Sequence, residues 1–113
     1  MQPETKFKMK VQADLREFGK KIWFYKANDK TTRGIPDIIV CLNSYFVSIE
    51  LKVNRNKPDR LQDHNLTKIA TAGGIAMVSY PETWKQDLKL LRKISNLELT
   101  SFDLQLEEKD GQS

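Results

Sequence analysis

Asp37, Glu50 and Lys52 interrupt an otherwise apolar stretch, RGIPDIIVCLNSYFVSIELKV, that runs from Arg33 to Val53. Charges in so apolar a segment are expensive unless they are paired or bound to an ion. The stretch reads as two strands, PDIIVCL and YFVSIELKV, around a short turn at Asn43-Ser44. In the second strand Tyr45, Val47, Ile49, Leu51 and Val53 share one face, while Phe46, Ser48, Glu50 and Lys52 share the other. An antiparallel hairpin about Asn43-Ser44 sets Asp37 opposite Glu50, so two carboxylates and an ammonium converge at one end of a sheet. Directly opposed carboxylates repel, and a divalent cation makes such a pair sensible. Hard oxygen ligands on two strands suit Mg²⁺, with Mn²⁺ as a substitute, and leave room for water and a phosphate oxygen. Lys52 is placed to hold the attacking water or to stabilise charge developing on phosphorus. A purely structural reading, with Glu50 salt-bridged to Lys52 and Asp37 capping a turn after Pro36, accommodates each residue singly better than the three joined by register.

The elements that must position these residues follow from periodicity and turn chemistry. Phe7, Val11, Leu15 and Phe18 recur at helical spacing from Glu4 to Phe18, and Gly19 stops that helix. IWFYKA (Ile22 to Ala27) reads as a strand, with Trp23, Phe24 and Tyr25 packing in the core or at the sheet edge. After the hairpin, Asp59 is an N-cap for a helix marked by Leu61, Leu66, Ile69 and Ala70 and closed by Gly73-Gly74. IAMVSY is a further strand, Pro81 opens a helix carrying Trp84, Leu88, Leu91 and Ile94, and LELTSFDLQL alternates like a last strand. The order α-β-β-β-α-β-α-(β) predicts an α/β sandwich around a central mixed sheet.

With 113 residues, 39% hydrophobic and 30% charged, the chain suits one globular domain, here residues 1–106, with a polar, frayed tail at 107–113. No apolar run approaches the ~18 residues of a membrane span, and MQPETKFKMKVQ lacks the apolar region of a secretory signal. The single cysteine, Cys41, reads as a small buried hydrophobe in a reducing compartment, which leaves no disulfide framework and no cysteine zinc site. These features predict a cytoplasmic protein. The net charge of +4 leans toward a polyanion partner. Arg33, Arg55, Lys57 and Arg60 surround the hairpin end and are the expected phosphate contacts, together with Lys26.

Pro36-Asp37 followed by Glu50-Leu51-Lys52 resembles the PD-(D/E)xK nuclease motif. RGIPDIIV, IELKV and LQDHNLTKIATAGGIAMV together resemble the virus-type replication-repair nuclease (VRR-NUC) domain, over about Glu4 to Val78. The resemblance implies a restriction-endonuclease-like fold and a Mg²⁺-dependent DNA endonuclease. Asp37 and Glu50 would hold the metal with the Leu51 carbonyl, Lys52 would be the catalytic lysine, and Gln62 would orient Lys52 or the substrate. It also implies an acid on the first helix as an additional ligand to the metal or to its surrounding shell, for which Glu4 is preferred over Asp14. Small standalone members imply a phage-type homodimer acting on branched DNA such as Holliday junctions. The rivals are a flap or duplex nuclease and a catalytically silent nucleic-acid-binding or assembly module. His64 lies two positions past Gln62 on the expected helix, so it faces another way and reads as a surface or groove residue.

Overall fold

Pro3 at the first helical position and Glu4 in the first turn start α1, Pro3–Arg16, because proline needs no hydrogen-bond acceptor there and the acid faces the positive end of the helix dipole. The computed structural model describes residues 1–27 and 33–97. After α1, a short 3₁₀ turn at Gly19–Lys21 leads into β1, Ile22–Lys26. Strands β2, Ile38–Leu42, and β3, Tyr45–Leu51, form the expected hairpin. Asn43 and Ser44 both take positive φ, 50° and 77°, as the tight hairpin turn requires. Helix α2, Arg60–Thr71, then crosses to β4, Ile75–Ser79, and α3, Trp84–Ser95, follows.

The sheet order is β1-β2-β3-β4, antiparallel through the first three strands and parallel between β3 and β4. The fold is therefore the α/β arrangement with a mixed sheet expected from the sequence. Strand parity separates two faces. Ile38, Val40, Leu42, Val47, Ile49, Leu51 and Met77 build the main core with Phe7, Val11 and Leu15 of α1 and Trp84, Leu91 and Ile94 of α3. Helix α2 lies over the β3–β4 half of the other face, where Ile69 and Phe46 meet around Gly74 and Leu66 is buried apart from the main core.

Four expectations are corrected. Cys41 is exposed, not buried. Trp23 and Tyr25 stand on the edge strand, their rings stacked in parallel, and at 63% and 56% exposure neither is in the core. All three residues lie where α2 leaves the sheet uncovered, a placement that strand patterning does not encode. Third, Pro81 precedes α3 instead of opening it: the Thr83 and Trp84 amides donate to the Tyr80 carbonyl at 3.0 and 2.8 Å, forming a turn before the helix. Fourth, α1 ends at Arg16 and β3 at Leu51, short of the expected Phe18 and Val53. The expected last strand, the 1–106 boundary and the 107–113 tail fall outside the described residues. No described helix is long and apolar enough to cross a membrane.

Candidate active site

The hairpin register pairs Ile38 with Ile49 at its open end. One step further on, the Leu51 amide donates to Asp37 Oδ2 at 2.8 Å, which clamps the Asp37 side chain across the end of β3. Glu50 is only 1% exposed, and its Oε2 is buried without a hydrogen-bond donor. Burial above all, then the hydrogen bond with Asp37 and that residue's negative charge, pushes the Glu50 carboxyl from 4.5 up to about 9; Lys52 opposes the shift and Asp59 adds a little to it. At neutral pH, with no cation bound, Glu50 keeps its proton.

This pair lies in a cleft of about 380 Å³ that opens between the N-terminal ends of α1 and α2. Its walls are Glu4, Phe7 and Lys8 from α1, Asp37, Glu50 to Val53, Asn56 and Lys57, and Gln62 from α2. Lys52 is half-buried, its amide tied to the Ser79 carbonyl at 3.0 Å. The structure thus gathers Asp37, Glu50, Leu51, Lys52, Gln62 and Glu4 around one cleft.

Gln62 is less free than its sequence position suggests. In a capping box its amide N–H donates to Asp59 Oδ1 at 2.8 Å, and its side-chain oxygen accepts from the Asp59 amide at 2.9 Å. Only the side-chain NH₂ remains to act in the cleft. Of the two acids on α1, Glu4 lines the cleft. Asp14 is buried elsewhere, accepting from Trp84 Nε1 at 2.8 Å and from Lys10 Nζ at 3.1 Å. Among the expected phosphate contacts Lys57 lines the cleft, while Arg33, Arg55, Arg60 and Lys26 are exposed outside its walls. His64 is exposed on α2 and outside the cleft.

Lys8 was missed as a site residue. Its signal was available, because Glu4 and Lys8 stand four apart on one helix and so share a face. Gly34 holds the two halves of the site together. At φ +81° it leaves no room for a side chain: a Cβ there would lie 2.7 Å from Leu61 and 2.8 Å from Asn65 of α2. Asn65 Nδ2 also donates to the Gly34 carbonyl at 2.9 Å.

The donor set fits a hard divalent cation. Two carboxylates from adjacent strands meet, and one of their oxygens is buried with nothing to bind. Among the described residues no three His, Cys, Asp or Glu side chains converge to hold an ion by themselves. An ion here would rely on Asp37 and Glu50, a main-chain oxygen, water and substrate, the partial protein shell that Mg²⁺ commonly takes.

No family model matches the chain, and no solved structure matches it. The curated Cell cycle protein GpsB of Pediococcus pentosaceus is 33% identical over 100 residues, spanning 87% of this chain and 86% of that protein. The expected membership of the virus-type replication-repair nuclease domain is thereby corrected. Its motifs were a few residues on a hairpin and a helix start, and such short patterns specify local geometry without identifying ancestry.

Proposed function

We propose that this chain, which belongs to the family of the Cell cycle protein GpsB, is a divalent-cation-dependent DNA endonuclease. The observation that carries the reading is the Asp37–Glu50 pair, with its partnerless buried oxygen, in a cleft shared with Lys52, Lys8 and Lys57. A bound Mg²⁺ or Mn²⁺ would supply an activated water and neutralise phosphate charge. Asp37, fixed by the Leu51 amide, and Glu50, its proton released, would together supply the two carboxylates that hold the ion. The Lys52 ammonium stabilises charge developing on the phosphoryl oxygens or orients the water. Lys8 and Lys57 hold the flanking phosphates, the Gln62 NH₂ orients a substrate oxygen, and Glu4 orders water opposite the pair.

The decisive experiment incubates labelled four-way junction, flap and duplex DNA with the protein in Mg²⁺, Mn²⁺ or EDTA. Metal-dependent cleavage is expected, and its absence on every substrate sinks the reading. Run alongside light scattering, the same titration tests two finer proposals, a homodimer and a preference for branched DNA. A monomer that cuts duplex as well as junction refutes both. We place the protein in the cytoplasm, where Mg²⁺ and DNA are both at hand. A second reading follows from the relative's name: a cell-cycle binding or assembly module without catalysis. It predicts DNA or protein binding with no cleavage in any metal.

A further inference from the structure

We propose that the half of the second sheet face left uncovered by the described helices is a stacking platform for unpaired bases of a nucleic acid strand, centred on Trp23 and Tyr25. The proposal rests on the DNA reading above and narrows its substrate to DNA with a single-stranded segment beside the cut. Register puts both rings on the face that carries Glu50. Trp23 pairs with Cys41, which pairs with Phe46, and Tyr25 pairs with Ile39, which pairs with Ser48. Neither ring belongs to the core, and at 63% and 56% exposure both are open to a ligand.

The geometry of the pair favours bases over a generic apolar partner. The two ring planes are parallel within 8° and their centroids lie 6.5 Å apart. Two successive steps of stacked bases cover a similar ~6.8 Å, from a rise of ~3.4 Å per base. The two rings are thus spaced like alternate members of a base stack, so a base entering between them finds parallel faces on both sides. Stacking of this kind tolerates any base, because every base has a π face.

Charge points the same way. The segments Gly19 to Ala27 and Ile38 to Phe46 contain no acidic residue. Lys20 is exposed just before the strand, Lys26 is exposed at its end on the opposite parity from the rings, and Lys21 is tied to the Ser95 carbonyl at 3.0 Å. The charged side chains of these two segments are therefore all positive, which favours a polyanion.

The platform is also near the cleft. The Tyr25–Ile39–Ser48 row lies two residues along β3 from Glu50. With ~4.8 Å between strands and ~3.4 Å per residue, Tyr25 and Glu50 backbones are on the order of 12 Å apart. That is a span of about three to four stacked nucleotides. A strand gripped by its bases at Trp23 and Tyr25 thus has a phosphate within reach of the acid pair.

The test uses the full chain in EDTA, so that nothing is cut. Anisotropy compares a labelled oligothymidylate with an abasic oligomer of equal length and phosphate count. Wild type is expected to bind the base-bearing oligomer roughly ten-fold more tightly. The Trp23→Ala/Tyr25→Ala variant should bind both oligomers alike, at the wild-type affinity for the abasic one, and Trp23→Phe should restore most of the preference. Equal binding of the two oligomers by wild type overturns the platform. So does an undiminished preference in the double variant. Sedimentation equilibrium on the same samples covers the remaining occupant: if wild type without DNA is a dimer and the double variant a monomer, the face belongs to a second copy and the proposal fails. The thermal shift with Mn²⁺ is expected to be unchanged in the double variant, because it reports the acid pair. Cleavage without a preference for bases would defeat the platform alone, and a preference for bases without cleavage would defeat the nuclease reading alone.

Discussion

Two acids are buried in this protein under opposite conditions. Asp14, 8% exposed, has the Trp84 indole N–H and the Lys10 ammonium on its oxygens. Glu50, 1% exposed, has a second acid as its neighbour and one oxygen with no donor. A carboxylate buried with its donors is a structural part, since removing it strands the donors. A carboxylate buried against another acid is unfavourable as it stands and becomes favourable only with an added positive charge. The buried acid of α1 and the buried acid of β3 thus contrast a packing residue with a candidate ligand.

The largest expected effect breaks the second acid site. Asp37→Ala should abolish cleavage and remove the stabilisation by Mn²⁺ in a thermal melt while the protein still folds. A melt shift as large as that of wild type would mean that the cation binds elsewhere. Lys52→Ala should lower the single-turnover rate by about 10²-fold or more, in the range of acid–base and charge-stabilising groups, and leave DNA affinity nearly intact. The reverse pattern would make Lys52 a phosphate clamp.

Proton linkage sharpens the contrast. The Glu50 carboxyl is raised to about 9 from 4.5, so the metal-free folded state holds a proton that the unfolded chain releases across that window. Stability without metal should therefore fall as pH rises from about 4.5 to about 9, by at most ~1.4 kcal/mol per pH unit. Mn²⁺ must displace the same proton, so its affinity should rise over the same range. Denaturation curves of wild type and Glu50→Gln check this, and identical pH profiles for the two would refute it.

The smallest effects belong to Asp14. Asp14→Ala leaves the Trp84 N–H buried without an acceptor and should cost about 1–3 kcal/mol in urea denaturation, with the Mn²⁺ shift preserved. Lys10→Ala should cost less than ~1 kcal/mol, because the lysine side chain is 66% exposed. If Asp14→Ala abolished the Mn²⁺ shift, the division of labour between the two acids would collapse.

The hairpin was the most legible part of the molecule. A two-residue turn fixes register, register fixes which side chains oppose one another, and the approach of Asp37 to Glu50 follows from sequence alone. The Asp59 cap was legible for the same reason, since it acts within one turn. What each helix covers was not. The open positions of Trp23, Tyr25 and Cys41 depend on α2 lying over β3 and β4, a tertiary choice that leaves no periodic mark on β1 or β2. Lys8 needed the orientation of α1 against the hairpin end, and the committed oxygen of Gln62 needed the realisation that one residue can serve both a cap and a cleft. Motif resemblance carried least, since it described a local shape correctly and the lineage wrongly.

Gly34 carries no functional group, yet its carbonyl and its missing side chain join the segment leading to Asp37 to the helix leading from Gln62. Any side chain there must push Leu61 and Asn65 away and hold the backbone in a conformation that L-residues disfavour. In a genetic screen, Gly34→Val would score with the catalytic knockouts although it removes no reacting atom. A map of loss-of-function alleles on this chain would thus mark an architectural joint as though it were chemistry, and a metal-binding assay would tell the two kinds of lesion apart.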